Sequence, residues 1–251
     1  MRISRLVAVI AVLAGLFFGS PFSALGSTIE ARVVNLISYG TVDMSLDAGS
    51  HWAGEYAGSI SMQRIGGDSP LELEPDLVNF VTFCIEPREG IYLGGEYTWE
   101  VKNLSEGNTT LSGMGATKAD LIRELIGREY LSFGGPLSAL RAAAIQIAIW
   151  EIVEENSSTL NVSTGNVRYR NESIAGMIDL AQSMLTALDG LGPKAMNLYA
   201  LTNEGSQDLV IQVGPEAVPN VEAPEPTSMA LLGIGLLSLG AFRKKFRPNS
   251  R

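Results

Sequence analysis

RAAAIQIAIWEIVEE, residues 141–155, is apolar nearly all round from Ala142 to Val153, with Gln146 and Glu151 as the exceptions. A helix of this composition has no stripe to offer water and must be buried on most sides. Gln146 and Trp150 lie four apart and share a face of it. An amide buried without partners costs a few kcal/mol, so Gln146 needs one. A structural glutamine bonded to a neighbouring strand or loop is the common solution; a chemical role is the other.

Outward from this helix the signals change. Pro136 opens the run LSALRAAAIQIAIWEIVEE, since proline is tolerated in a first helical turn. Thr117-Lys118-Ala119-Asp120 opens an earlier helix, LIRELIGREYL, and a third is predicted from Asn171 to Leu188, ended by Asp189-Gly190. Before them, residues 28–101 are strand-like, with β-branched and aromatic runs such as ARVVNLISYGTVDMSL and LVNFVTFCIE separated by Gly, Asp-Ala-Gly and Gly-Gly-Asp turns. A polar loop, NLSEGNTTLSGMG, covers residues 103–115, and strands return at MNLYALT and DLVIQV. No internal repeat is present. Strands, then helices, then strands predict an α+β domain: an antiparallel β-sandwich or barrel with a packed or inserted helical part.

The two ends do not belong to that domain. Residues 1–26 combine Arg2 and Arg5, the apolar run Leu6 to Phe18 and the small-residue exit Ala24-Leu25-Gly26. This is the pattern of a secretory signal peptide, and its apolar run falls short of the roughly 20 residues that span a bilayer. At the other end Pro224-Glu225-Pro226 precedes an apolar run from Met229 to Phe242 and the cations Arg243, Lys244, Lys245 and Arg247. An apolar stop followed by cations keeps the extreme C-terminus on the cytoplasmic side. The expected organisation is a signal peptide over 1–26, a globular domain over 27–213, a linker over 214–223 and a sorting tail with a short transmembrane helix over 224–251.

That tail resembles the PEP-CTERM sorting signal: tripeptide, Gly/Leu-rich helix and basic cluster occur in order. The resemblance implies processing by exosortase, a membrane protease, transient anchoring by the C-terminal helix, and a destination at the cell surface or in an extracellular, biofilm-type matrix. The chain has 18 basic and 27 acidic residues. Removing both ends takes away seven cations and one acid, which leaves about −15. Such a charge disfavours nucleic acid and anionic lipid as partners. Five Asn-x-Ser/Thr triplets, beginning at Asn103, Asn108, Asn156, Asn161 and Asn171, read as solvated loops and helix starts beside a bacterial-type tail.

One cysteine in an exported chain can form no internal disulfide. Cys84 is then a buried inert thiol, half of an intermolecular disulfide, or a reactive group. Strand alternation in Asn79–Glu86 sets Val81, Phe83 and Ile85 on one face and Thr82, Cys84 and Glu86 on the more polar other. Phe83-Cys84 together with Ile145-Gln146-Ile147-Ala148-Ile149-Trp150 resembles the thioester domains of bacterial surface adhesins. The resemblance implies that Cys84 supplies the sulfur and Gln146 the acyl carbon of an internal thioester that acylates an amine on a surface protein, matrix component or amino sugar. Aromatic cover from Phe83 and Trp150 is the expected shield against water. The chemistry needs a thiolate, an amide held against it and a proton for the departing ammonia. Glu86 and Glu151 are candidate donors by sequence proximity.

No cofactor and no enzymatic turnover are expected. A cysteine hydrolase would pair Cys84 with the single histidine, His51, in the glycine-flanked segment GSHWAG. One cysteine and one histidine are too few ligands for a Cys/His metal site, and no EF-hand loop or phosphate-cradling glycine loop is present. Trp52, Trp99 and Trp150 are candidates for stacking on sugars. The alternative to covalent attachment is a noncovalent structural or exopolysaccharide-associated surface protein in which Cys84 stays a free thiol.

Overall fold

The computed structural model describes residues 27–68, 79–130 and 137–213. The chain divides into two compact units, Met1–Glu216 and Ala217–Arg251, and every described residue belongs to the first. The signal peptide, the linker and the sorting tail with its helix lie outside the described residues.

Among the described residues are β1 (Thr28–Ser45), β2 (Ala53–Gly66), β3 (Asn79–Cys84), β4 (Glu96–Asn103), β5 (Arg168–Arg170), β6 (Leu198–Thr202) and β7 (Leu209–Gln212). Three helices, α1 (Gly115–Glu129), α2 (Ala139–Glu154) and α3 (Met177–Thr186), fall between β4 and β6 with β5 among them. The strand order β2-β3-β7-β6-β4-β1-β5, closed by β1 against β2, makes a six-stranded antiparallel barrel with β5 added at its side. Of the two β architectures expected, the barrel is the one formed, and the helical part is both inserted in sequence and packed outside.

Strand β1 is 18 residues long and serves two layers. In its first half Ile29, Ala31 and Val33 alternate inward and meet Trp99, Met62, Leu201, Leu209 and Ile211 in the barrel interior. Register irregularities between Val33 and Asn35 and between Ile37 and Tyr39 then turn the strand, as bulges do. Beyond them Val42 and Met44 face the helical layer. Ser38 sits at the second irregularity with φ +51°, and its hydroxyl donates to the Leu137 carbonyl 2.7 Å away. Gly58 opposite has no room for a side chain: a Cβ there would lie 2.5 Å from that of Tyr39.

Helix α2 begins at Ser138, whose hydroxyl accepts the Arg141 N–H as an N-cap. Every residue from Ala142 to Glu154 is buried, as its composition requires. The third helix is shorter than predicted. Its first residues are held instead by Glu172, whose carboxylate accepts the Gly176 and Ile178 N–H groups, and Asn171 takes φ +52° after β5. Among the described residues no helix is long and apolar enough to cross a membrane.

Candidate functional site

The pairing of β2 with β3 ends at Ile60–Thr82, while β3 continues alongside β7 through Phe83–Val210 and Cys84–Leu209. The Ile85 N–H donates to the Asp208 carbonyl on the β7 side. Polar groups of successive strand residues point to opposite edges, so the N–H and C=O of Cys84 face the edge that β2 has left. Gln146 fills that place. The Cys84 N–H donates to Gln146 Oε1 at 2.9 Å, and Gln146 Nε2 donates to the Cys84 carbonyl at 2.8 Å. One side-chain amide thus stands in for one residue of a missing strand.

One turn further along α2, the Trp150 indole N–H donates to Cys84 Sγ at 3.2 Å, and the Glu86 backbone N–H donates to the same sulfur at 3.3 Å. Cys84, Gln146 and Trp150 are all buried, with at most 3% of any of them exposed. The i, i+4 spacing therefore delivers an amide to the backbone of Cys84 and an indole to its sulfur from a single helix face. Burial pushes the thiol well above the ordinary range, against the pull of the Trp150 and Glu86 donors, while the charges of Glu86 and Glu55 push the same way as burial. The buried surroundings thus favour the neutral thiol over the thiolate.

The alternation expected around Cys84 separates a polar from an apolar face. In the structure Thr82, Phe83, Cys84, Ile85 and Glu86 are all buried, because β3 is covered by the barrel interior on one side and the helical layer on the other. Phe83 packs edge to face on Tyr130, with ring centroids 6.2 Å apart, and of the two expected shielding residues Trp150 is the one bonded to the sulfur.

Of the two candidate proton donors, Glu86 has both carboxylate oxygens engaged and Glu151 only one. Glu86 accepts the Thr110 N–H at 2.6 Å, the Thr110 hydroxyl and the Asp208 N–H at 3.2 Å. Glu151 accepts the Asn161 N–H at 2.7 Å through Oε1, its Oε2 is buried without a partner, and burial raises its pKa to about 7. Sequence reasoning missed Glu55, half-buried on β2, whose charge acts on Cys84 and whose pKa burial raises. It also missed Asp208, which accepts the Thr109 and Asn203 N–H groups and is raised by burial to about 6. Neither has a motif around it; both depend on contacts far apart in sequence.

His51 is exposed, whereas the sulfur is buried and takes its contacts from Trp150 and Glu86, so the Cys–His pair of a hydrolase is not formed. The tryptophans are not free platforms. Trp99 is fully buried and donates to the Gln207 carbonyl, Trp150 is on the sulfur, and the Trp52 ring has the guanidinium groups of Arg170 and Arg168 over it at 3.9 and 5.5 Å.

Pro224, Glu225 and Pro226 lie outside the described residues, and there comparison with known proteins speaks. Residues 222–245 match the PEP-CTERM protein-sorting motif. No curated protein and no solved structure matches the chain. The chain thus carries a PEP-CTERM tail, which supports an exported protein sorted by exosortase at the membrane.

Proposed function

We propose that this is an exported cell-surface or matrix protein in which Cys84 and Gln146 condense to an internal thioester that attaches the protein covalently to amine-bearing targets. The observation that carries the reading is the meeting of the single cysteine with the one amide of a buried helix, 62 residues apart in sequence and joined by two hydrogen bonds. Formation joins Sγ to the side-chain carbonyl carbon of Gln146 and breaks the bond from that carbon to Nε2. The thiol proton leaves with the nitrogen as ammonia. A target amine then forms a C–N bond to the same carbon and displaces the sulfur, which regains a proton, and an amide cross-link remains. The acyl group is used once, so the protein is a reagent rather than an enzyme.

Burial supports the reading in two ways: it holds the reacting groups together and keeps water from the product. The amine is carried by a surface protein or polysaccharide, and exosortase acts on the tail. The exported protein should weigh one ammonia less than its processed chain, a difference lost in Cys84→Ala and Gln146→Ala.

A second reading has its own observation. Both polar atoms of the Gln146 amide are bonded to the backbone of Cys84, which suffices for a structural glutamine in a noncovalent surface protein with a free thiol. Full unmodified mass, with Cys84 labelled stoichiometrically after unfolding, selects that reading.

A further inference from the structure

The sequence suggests Trp150 as a cover over the reactive bond, but a cover needs only an aromatic ring. The contact made is more specific: the indole N–H is aimed at Cys84 Sγ from 3.2 Å, and the Glu86 backbone N–H approaches the same atom from 3.3 Å. At the other end of the reacting bond, the Cys84 N–H is already on Gln146 Oε1 at 2.9 Å. Each atom on which negative charge develops therefore has a fixed donor in a buried site, where such donors act most strongly.

We propose, resting on the thioester reading, that Trp150 is a catalytic residue whose indole N–H stabilises the Cys84 sulfur as the leaving group when an amine attacks. Attack on the side-chain carbonyl carbon of residue 146 forms the C–N bond. The carbon–sulfur bond breaks and its electron pair stays on sulfur, facing the indole N–H. The sulfur then takes the proton that the attacking nitrogen sheds. Indole nitrogen donates only, so Trp150 carries no proton through the step; its part is electrostatic. The same donor favours the thiolate that forms the thioester in the first place. It opposes the burial that otherwise holds this sulfur neutral.

The test replaces Trp150 by 3-benzothienylalanine, which keeps the bicyclic shape and loses the N–H, with Trp150→Phe as a genetically encoded second variant. Two rates are read on the full exported domain: loss of ammonia as the refolded protein forms the thioester, and uptake of methylamine by the thioester form. A hydrogen bond to a charged group corresponds to about tenfold or more in rate. Both rates should slow by about that factor in the isostere. A merely structural cover, which the isostere preserves, would leave both in place. Ammonia loss in the wild type with both readouts unchanged overturns the role of Trp150 alone. A wild type without ammonia loss overturns the thioester reading and the catalytic role with it.

Discussion

Gln146 holds its place for a reason that can be measured without reference to any reaction. Its amide satisfies one N–H and one C=O that β2 has abandoned, and each such group left bare in the interior costs about 1–3 kcal/mol. Gln146→Leu, which keeps the volume and removes both contacts, should lower stability by about 2–4 kcal/mol in chemical denaturation. A loss under 0.5 kcal/mol, the size of a surface substitution, would mean that the edge of β3 is satisfied some other way. The need for a partner was legible in the sequence, since an amide in an apolar helix cannot stand alone. That the partner is the backbone of Cys84 was not legible, because it depends on where β2 stops pairing, and neither short motif encodes that point.

At the scale of elements, buried carboxylates tie the loops to the helices. Glu124 on α1 accepts Arg128 and the N–H groups of Asp189, Gly190 and Gly192, and so fixes the segment that follows α3. Glu124→Ala should cost about 3 kcal/mol and expose the 189–192 amides to hydrogen exchange. Glu151 acts in the opposite sense. Its pKa is raised from 4.5 to about 7 by burial, so the folded state favours the protonated acid. The stability this supplies is complete below the unfolded value and is lost as pH rises through about 7. Glu151→Gln, which still accepts from Asn161, should match the wild type near pH 4 and exceed it above pH 7 by on the order of 1 kcal/mol; equal stability at both pH values would contradict a buried, costly charge. Element types were readable where the signal was long, as in the continuous apolar run of α2 and the long strands. Short β5 and the truncated start of α3 were not, because three residues carry no period and Glu172 overrides the helical pattern with capping contacts of its own.

For the whole molecule, the closed barrel and its outer helical layer give a rigid frame in which one strand edge is left for a helix side chain to complete. The α+β class followed from the order of signals, but closure through β1 pairing with both β2 and β4 did not, since it rests on contacts far apart in the chain. The C-terminal tail, by contrast, was legible outright: a tripeptide, an apolar run and a basic cluster form a local code, and residues 222–245 match that motif. Replacing Pro224-Glu225-Pro226 by alanines should leave the full-length protein in the membrane fraction, and unchanged release would contradict processing at the tail. The intact mass of the exported, untreated protein tests the central claim most directly. A value one ammonia below that of the processed chain, rising by one methylamine on exposure to that amine, is the predicted result. The processed chain's own mass with nothing lost, unaltered by methylamine, would contradict it.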